Sequence, residues 1–264
     1  MHIIVLPSAK EIAAVAADRY TRLLQANPSA VLGLATGSSP LPVYDDLIAR
    51  YEAGQISFKD ARAFLLDEYV GLPVDHPEGY RNFIERVFAS KVDFAPGAVQ
   101  GPNGNSPDPK QAARDYEALI VGSGGVDLQI LGIGTDGHIG FNEPGGSLAS
   151  TTHTQVLTEQ TRADNARFFG GDINLVPRLC ITQGLGTIGR AKAVILVAQG
   201  KQKAEAIAAM AEGGVSALWP ASVLQFHNDA TILVDDEAAS LLQLKDYYRA
   251  AYEGELALSQ ASGK

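Results

Sequence analysis

VDLQILGIGTDGHIGFNEPGG, residues 126–146, is the stretch on which the fold turns. Its first six residues form a mostly apolar run suited to a buried strand, and a glycine-rich segment follows at once. Gly132, Gly134 and Gly137 have the formal G-x-G-x-x-G spacing of a dinucleotide-binding turn. Such a turn must enter a helix that packs on the sheet and aims its N-terminus at pyrophosphate. Here Gly140, Pro144, Gly145 and Gly146 disfavour a long regular helix. Asp136 and Glu143 would also repel a pyrophosphate. Glu159 stands about where a ribose-binding acid would, so that spacing alone does not exclude the cofactor; the missing helix weighs against it.

Further apolar runs of strand length lie at HIIVLP (2–7), AVLGLAT (30–36), AFLLDEY (63–69), AVILVAQG (193–200) and ATILVDD (230–236). Several stand between segments of helical period, such as Ile12, Val15, Ala16, Tyr20, Leu23 and Leu24, or Ala113, Tyr116, Leu119 and Ile120. The alternation predicts an α/β fold: a single-domain, Rossmann-like open sheet, mainly parallel, with helices on both faces. APGAVQGPNGNSPDP (95–109) reads as a surface loop and not as a domain boundary, so residues 1–264 are expected to form one domain.

The chain has 264 residues, 46% of them hydrophobic, enough to bury a sizeable core. A net charge of −9 argues against nucleic acid or an anionic membrane as the main partner, and an anionic substrate would need a local basic pocket. Cys180 is the only cysteine, which rules out an intrachain disulfide and reads as a buried, inert thiol. The N-terminus lacks the basic flank and apolar core of a signal peptide, and no run is long enough to span a bilayer. A soluble, cytoplasmic protein is expected.

In open parallel sheets ligands bind beyond the carboxyl ends of the strands, so the polar residues there carry the interest. Thr36, Gly37, Ser38 and Ser39 stand between a strand and a helix: either an anion cradle of backbone N–H groups and hydroxyls, or an ordinary helix cap. The run lacks the Gly-Lys-Ser/Thr ending of a Walker loop. Asp67 and Glu68 follow a hydrophobic strand, and alternation lets at most one of them face a common cleft. A shielded carboxylate there could serve as a general base. Asp136, His138 and Glu143 place an imidazole between two carboxylates, which equips it to exchange protons near neutrality. A metal site is the rival reading, but there is no H-E-x-x-H and no second histidine nearby, so no metal is expected. Arg167, Lys201 and Lys203 are cations near strand or helix ends; lysines at a helix N-terminus oppose its dipole and hint at an anionic ligand.

FLLDEYVGL, GIGTDGHIGFNEPGGSLAS, TRADNARFF and GKQKA together resemble the glucosamine-6-phosphate deaminase family over nearly the whole chain. FNEP after DGHI is the specific part; the sister 6-phosphogluconolactonases share the fold and a related loop but continue differently. The resemblance implies conversion of glucosamine 6-phosphate and water to fructose 6-phosphate and ammonia, as in amino-sugar catabolism, without an organic cofactor. It implies that Asp67 moves a proton from C2 to C1 and that His138 serves ring opening, tuned by Asp136 and Glu143. Arg167, Lys203 and residues 36–39 would hold the phosphate, while Lys201 receives no role.

Regulated members bind N-acetylglucosamine 6-phosphate at a subunit interface through basic residues after the NEP loop. Here TTHTQ (151–155) has no Arg or Lys, so weak or absent activation is expected. A homo-oligomer is possible, with the number of subunits unreadable. Two other classes stay open: a lactonase or isomerase on a related sugar phosphate, separable by ammonia release, and a non-catalytic sugar-phosphate sensor, which would bind without turnover.

Overall fold

The computed structural model describes residues 1–261. The chain runs β1 (His2–Leu6), α1 (Ala9–Ala26), β2 (Val31–Leu34), α2 (Leu41–Glu52), β3 (Arg62–Leu65), β4 (Asp67–Tyr69), α3 (Tyr80–Val87), β5 (Val99–Gln100), α4 (Pro109–Gly122), β6 (Leu128–Leu131) and β7 (His153–Val156). It continues with α5 (Glu159–Asn165), β8 (Leu179–Thr182), α6 (Leu185–Gly189), β9 (Ala193–Ala198), α7 (Ala204–Glu212), β10 (Ala230–Asp235) and α8 (Lys245–Ala261).

Local chemistry explains the first helix. Ser8 accepts the Glu11 N–H and donates its hydroxyl to the Glu11 carboxylate, a reciprocal cap. Ile12, Ala16, Ala17, Tyr20 and Leu24 then bury one stripe against the sheet. At α4, Asp108 caps the Gln111 N–H and Pro109 supplies the first helical φ.

Seven strands form a wholly parallel sheet in the order β1-β10-β9-β6-β2-β3-β5. Its central strands are buried on both faces, which is why AVILVA and ATILVD are nearly continuous apolar runs. From β2 the chain steps outward to β3 and β5, then returns to β6 and steps the other way to β9 and β10. Right-handed crossovers therefore put the helices of the two halves on opposite faces. The strand order reverses between β2 and β6, and the turns leaving those two strands diverge there to leave a crevice.

A second, antiparallel sheet has the order β4-β8-β7. The run AFLLDEY reads as one strand in sequence but divides at Leu66. Its N–H still donates to Leu34 O in the parallel sheet, while its carbonyl accepts from Gln183 N, next to β8. That change of sheet delivers Asp67 to the mouth of the crevice. Pattern alone misses β7 and β8, and the presumed loop at 95–109 contains β5 and the start of α4. Among the described residues no helix is long and apolar enough to cross a membrane.

Candidate active site

A cavity of about 680 Å³ lies over the switch point. Thr36, Gly37, Ser38, Ser39, Asp67, His138, Arg167 and Lys203 all line it, so turns distant in sequence meet at one place. Asp136 and Glu143 stand against His138, outside the lining. Lys201 does not reach the cavity wall.

The turn after β2 is not an ordinary cap. Pro40 holds the N-cap position of α2 and no side chain caps the helix. The hydroxyls of residues 36–39 are thus left to the cavity, beside an uncapped helix N-terminus that favours an anion. Gly37 makes the turn possible with φ +92°.

Asp67 is 6% exposed, and burial followed by the neighbouring charge of Glu68 pushes its carboxyl well above the usual range. Alternation turns Glu68 away, onto the N-terminus of α3, where it accepts the N–H groups of Tyr80 and Arg81.

Residues 132–146 fold into successive turns with no helix, and their glycines make room for the site. A Cβ on Gly134 would lie 2.4 Å from two atoms of the His138 ring and 2.6 Å from Asp136 Oδ1. Gly140, at φ +57°, lies under Thr182, whose Oγ1 accepts the Phe141 N–H. Replacing Gly134 with Ala therefore displaces the imidazole. We expect kcat to fall by about tenfold or more, since small displacements of a reacting group are costly, with the melting temperature reporting an intact fold.

Nδ1 of His138 lies 2.7 Å from Asp136 Oδ1, off the line of a directed hydrogen bond, and 3.9 Å from Glu143 Oε2. Burial opposes charge on Asp136, but the imidazole outweighs it and holds this carboxyl at about 2. Glu143 moves the other way, pushed up by burial despite the N–H of Thr158 on its Oε1. Two carboxyls pushed apart in this way divide the work: Asp136 stays ionised and supports an imidazolium, while Glu143 holds a proton more readily. The donor atoms of these three residues lie within 4.8 Å of one another, so they are the group that could approach a metal. Ligands of one tetrahedral zinc sit about 3.3 Å apart, wider than the 2.7 Å contact between His138 and Asp136.

Arg167 belongs to the tight turn Ala166–Phe168 and lays its guanidinium 4.7 Å over the Phe168 ring. Lys203 ends the turn Lys201–Lys203 that opens α7. Burial and then the charge of Arg167 lower its ammonium pKa, with Asp164 and Asp136 opposing. Two cations brought together inside an acidic chain make a place for an anion. Asp235, at the end of β10, builds this wall by accepting the Gly200 N–H where the backbone turns at φ +85°. Sequence reading missed Tyr80, Thr161, Asp164, Asn165 and Gln199, which also line the cavity. Of these, Gln199 alone follows a strand directly, a position that could have marked it.

Residues 7–233 match the family described as glucosamine-6-phosphate isomerases/6-phosphogluconolactonase. A glucosamine-6-phosphate deaminase of Mycolicibacterium smegmatis is 64% identical over 252 residues, covering 96% of this chain and 97% of its own length. A solved structure of a monomeric glucosamine-6-phosphate deaminase superposes with a TM-score of 0.89 at 42% identity, covering 91% of this chain and all of that one. A 6-phosphogluconolactonase from Trypanosoma brucei shares the fold, with a TM-score of 0.74 at 19% identity over 90% of this chain and 97% of its own.

Proposed function

Since the chain belongs to the glucosamine-6-phosphate isomerase/6-phosphogluconolactonase family, we propose that its cavity converts glucosamine 6-phosphate and water to fructose 6-phosphate and ammonia. The observation that carries the reading is the convergence, in one cavity, of a buried carboxylate, an imidazole paired with an ionised carboxylate, and an anion cradle. Each answers one demand of the chemistry.

The phosphate is held by Arg167, Lys203 and the turn Thr36, Gly37, Ser38 and Ser39. Binding energy spent there, away from the reacting carbons, fixes the sugar against the two proton-transfer groups. His138 moves a proton between the ring oxygen and O1, opening the pyranose to the aldehyde, and Asp136 stabilises the imidazolium. Asp67 removes the C2 proton; the electron pair moves into the C1–C2 bond, and O1 takes up a proton to give an enolamine. The proton held by Asp67 then goes to C1, leaving an iminium at C2. Water adds to C2, ammonia departs, and the carbonyl of fructose 6-phosphate remains. Every step is proton transfer, addition or elimination, so the residues present suffice.

Replacing Lys203 with Ala should raise KM for glucosamine 6-phosphate by about 10- to 100-fold, the loss of one charge-assisted hydrogen bond, and leave kcat nearly unchanged. An unaltered KM would remove Lys203 from the cradle.

The reading as a whole is tested by offering the purified protein glucosamine 6-phosphate and 6-phosphogluconolactone separately. Ammonia release from the first, with lactone hydrolysis no faster than in buffer, is expected. Hydrolysis of the lactone without ammonia release would assign the cavity to the sister activity, and binding without turnover would make it a sensor.

A further inference from the structure

Glu68 takes part in none of the steps above, yet its carboxylate accepts three backbone N–H groups beside the cavity. Oε1 accepts the N–H of its neighbour Tyr69 at 3.0 Å and that of Tyr80 at 2.9 Å, and Oε2 accepts the N–H of Arg81 at 3.0 Å. Gly79, the N-cap residue of α3, has no side chain to cap the helix, so Glu68 fills that role from another strand. Gly104 packs closely against the same strand. A Cβ on Gly104 would lie 2.0 Å from Tyr69 O, and the Gly104 carbonyl accepts the Gly71 N–H. Strand β4 is three residues long and begins at Asp67; β8 pairs with one edge of it, and the Glu68 side chain ties it to α3.

The same cap places a second wall. Tyr80, the first residue of α3, lines the cavity and donates its hydroxyl to Tyr69 Oη, which also receives Asn165 Nδ2, two residues before Arg167. A shift of α3 would therefore reach both the base and the segment that carries the phosphate-binding arginine.

We propose that Glu68 is a positioning residue: by capping α3 from β4, it holds the Asp67 carboxylate and the Tyr80 ring in one fixed relation across the cavity. The inference rests on the reading of Asp67 as the base.

Its charge also gives a readout that packing alone would not. The groups facing Asp67 are Glu68 and Tyr69 on its own strand, Tyr80 of α3, Tyr116 of α4 and Cys180 of β8. Burial raises the three phenols and the thiol, keeping them neutral at working pH. Burial also raises Glu68, but its three N–H donors pull it back toward the charged form. After burial, the charge of Glu68 is the one that raises Asp67, so removing it moves the pKa of the base down.

The test compares Glu68→Gln and Glu68→Asp in the full-length protein, with kcat and KM for glucosamine 6-phosphate measured across pH. Both variants should lose about 10- to 100-fold in kcat, the scale of a misplaced reacting group, with KM within about twofold of wild type. The acid limb of kcat should move to lower pH in Glu68→Gln and stay in place in Glu68→Asp. Wild-type kcat with an unmoved limb in Glu68→Gln would overturn the proposal. Should that variant fail to fold, wild-type kcat in Glu68→Asp would overturn it equally. Asp67→Asn, run alongside, separates the two failures: if it turns over normally, the base assignment falls and this inference with it, whereas an inactive Asp67→Asn beside an unaffected Glu68→Gln refutes the positioning role alone.

Discussion

Replacing Asp67 with Asn should lower kcat by about 10²- to 10⁴-fold, the contribution of a positioned general base, and leave KM nearly unchanged because the phosphate cradle is untouched. The substitution keeps the shape of the side chain and removes its basicity. The stability effect has a definite sign. Burial raises the folded-state pKa of Asp67 above its unfolded value, so the unfolded chain binds fewer protons between the two values. Stability is therefore lost as pH rises through that window. Asp67→Asn cannot ionise and should melt at or above the wild-type temperature at neutral pH. In the wild type, the raised pKa places the acid limb of kcat well above the range of an exposed aspartate. A variant that loses activity and also melts much lower would indicate a damaged fold and not a missing base.

The second large loss is expected from His138→Gln. Glutamine keeps a polar side chain but cannot alternate between donor and acceptor as an imidazole does, so ring opening loses its proton shuttle. A loss of about 10²-fold or more in kcat is expected on the same scale. It should be smaller than that of Asp67→Asn, because the sugar also opens spontaneously in solution and C2 proton transfer can proceed from that form. With the imidazole gone, Asp136 loses the partner that holds it at about 2, and its pKa should rise. Equal and total loss in both variants would contradict the division of labour, as would an unaffected kcat in His138→Gln. The double variant should fall short of the product of the single losses, since the two groups serve one reaction coordinate.

Much of this arrangement is legible in the sequence because it follows from strand ends. The six apolar runs mark the strands of the parallel sheet apart from β5, and the rule that ligands bind beyond their carboxyl ends leads to residues 36–39, to Asp67 and to the turns at 132–146. Alternation of side chains along a strand is enough to separate the roles of Asp67 and Glu68. The second sheet is harder to read. HTQV of β7 is a polar edge strand with no apolar alternation, LCIT of β8 is four residues long, and AFLLDEY gives no sign that it changes sheets at Leu66. The part of the cavity wall made by Tyr80, Thr161, Asp164 and Asn165 comes from helices carried over the crevice by tertiary packing. There Phe169, Ala166 and Leu157 meet Tyr69 and Phe141 in an apolar cluster of their own. No local pattern announces that meeting.

The claim that one buried carboxylate carries the C2 proton to C1 is tested most directly with glucosamine 6-phosphate deuterated at C2. The account expects slowed ammonia release relative to the unlabelled sugar, deuterium appearing at C1 of the fructose 6-phosphate formed, and neither product from Asp67→Asn. Ammonia released at full rate by Asp67→Asn, or wild-type product without deuterium at C1 and without slowing, would show that the C2 proton takes another route and that Asp67 is not its carrier.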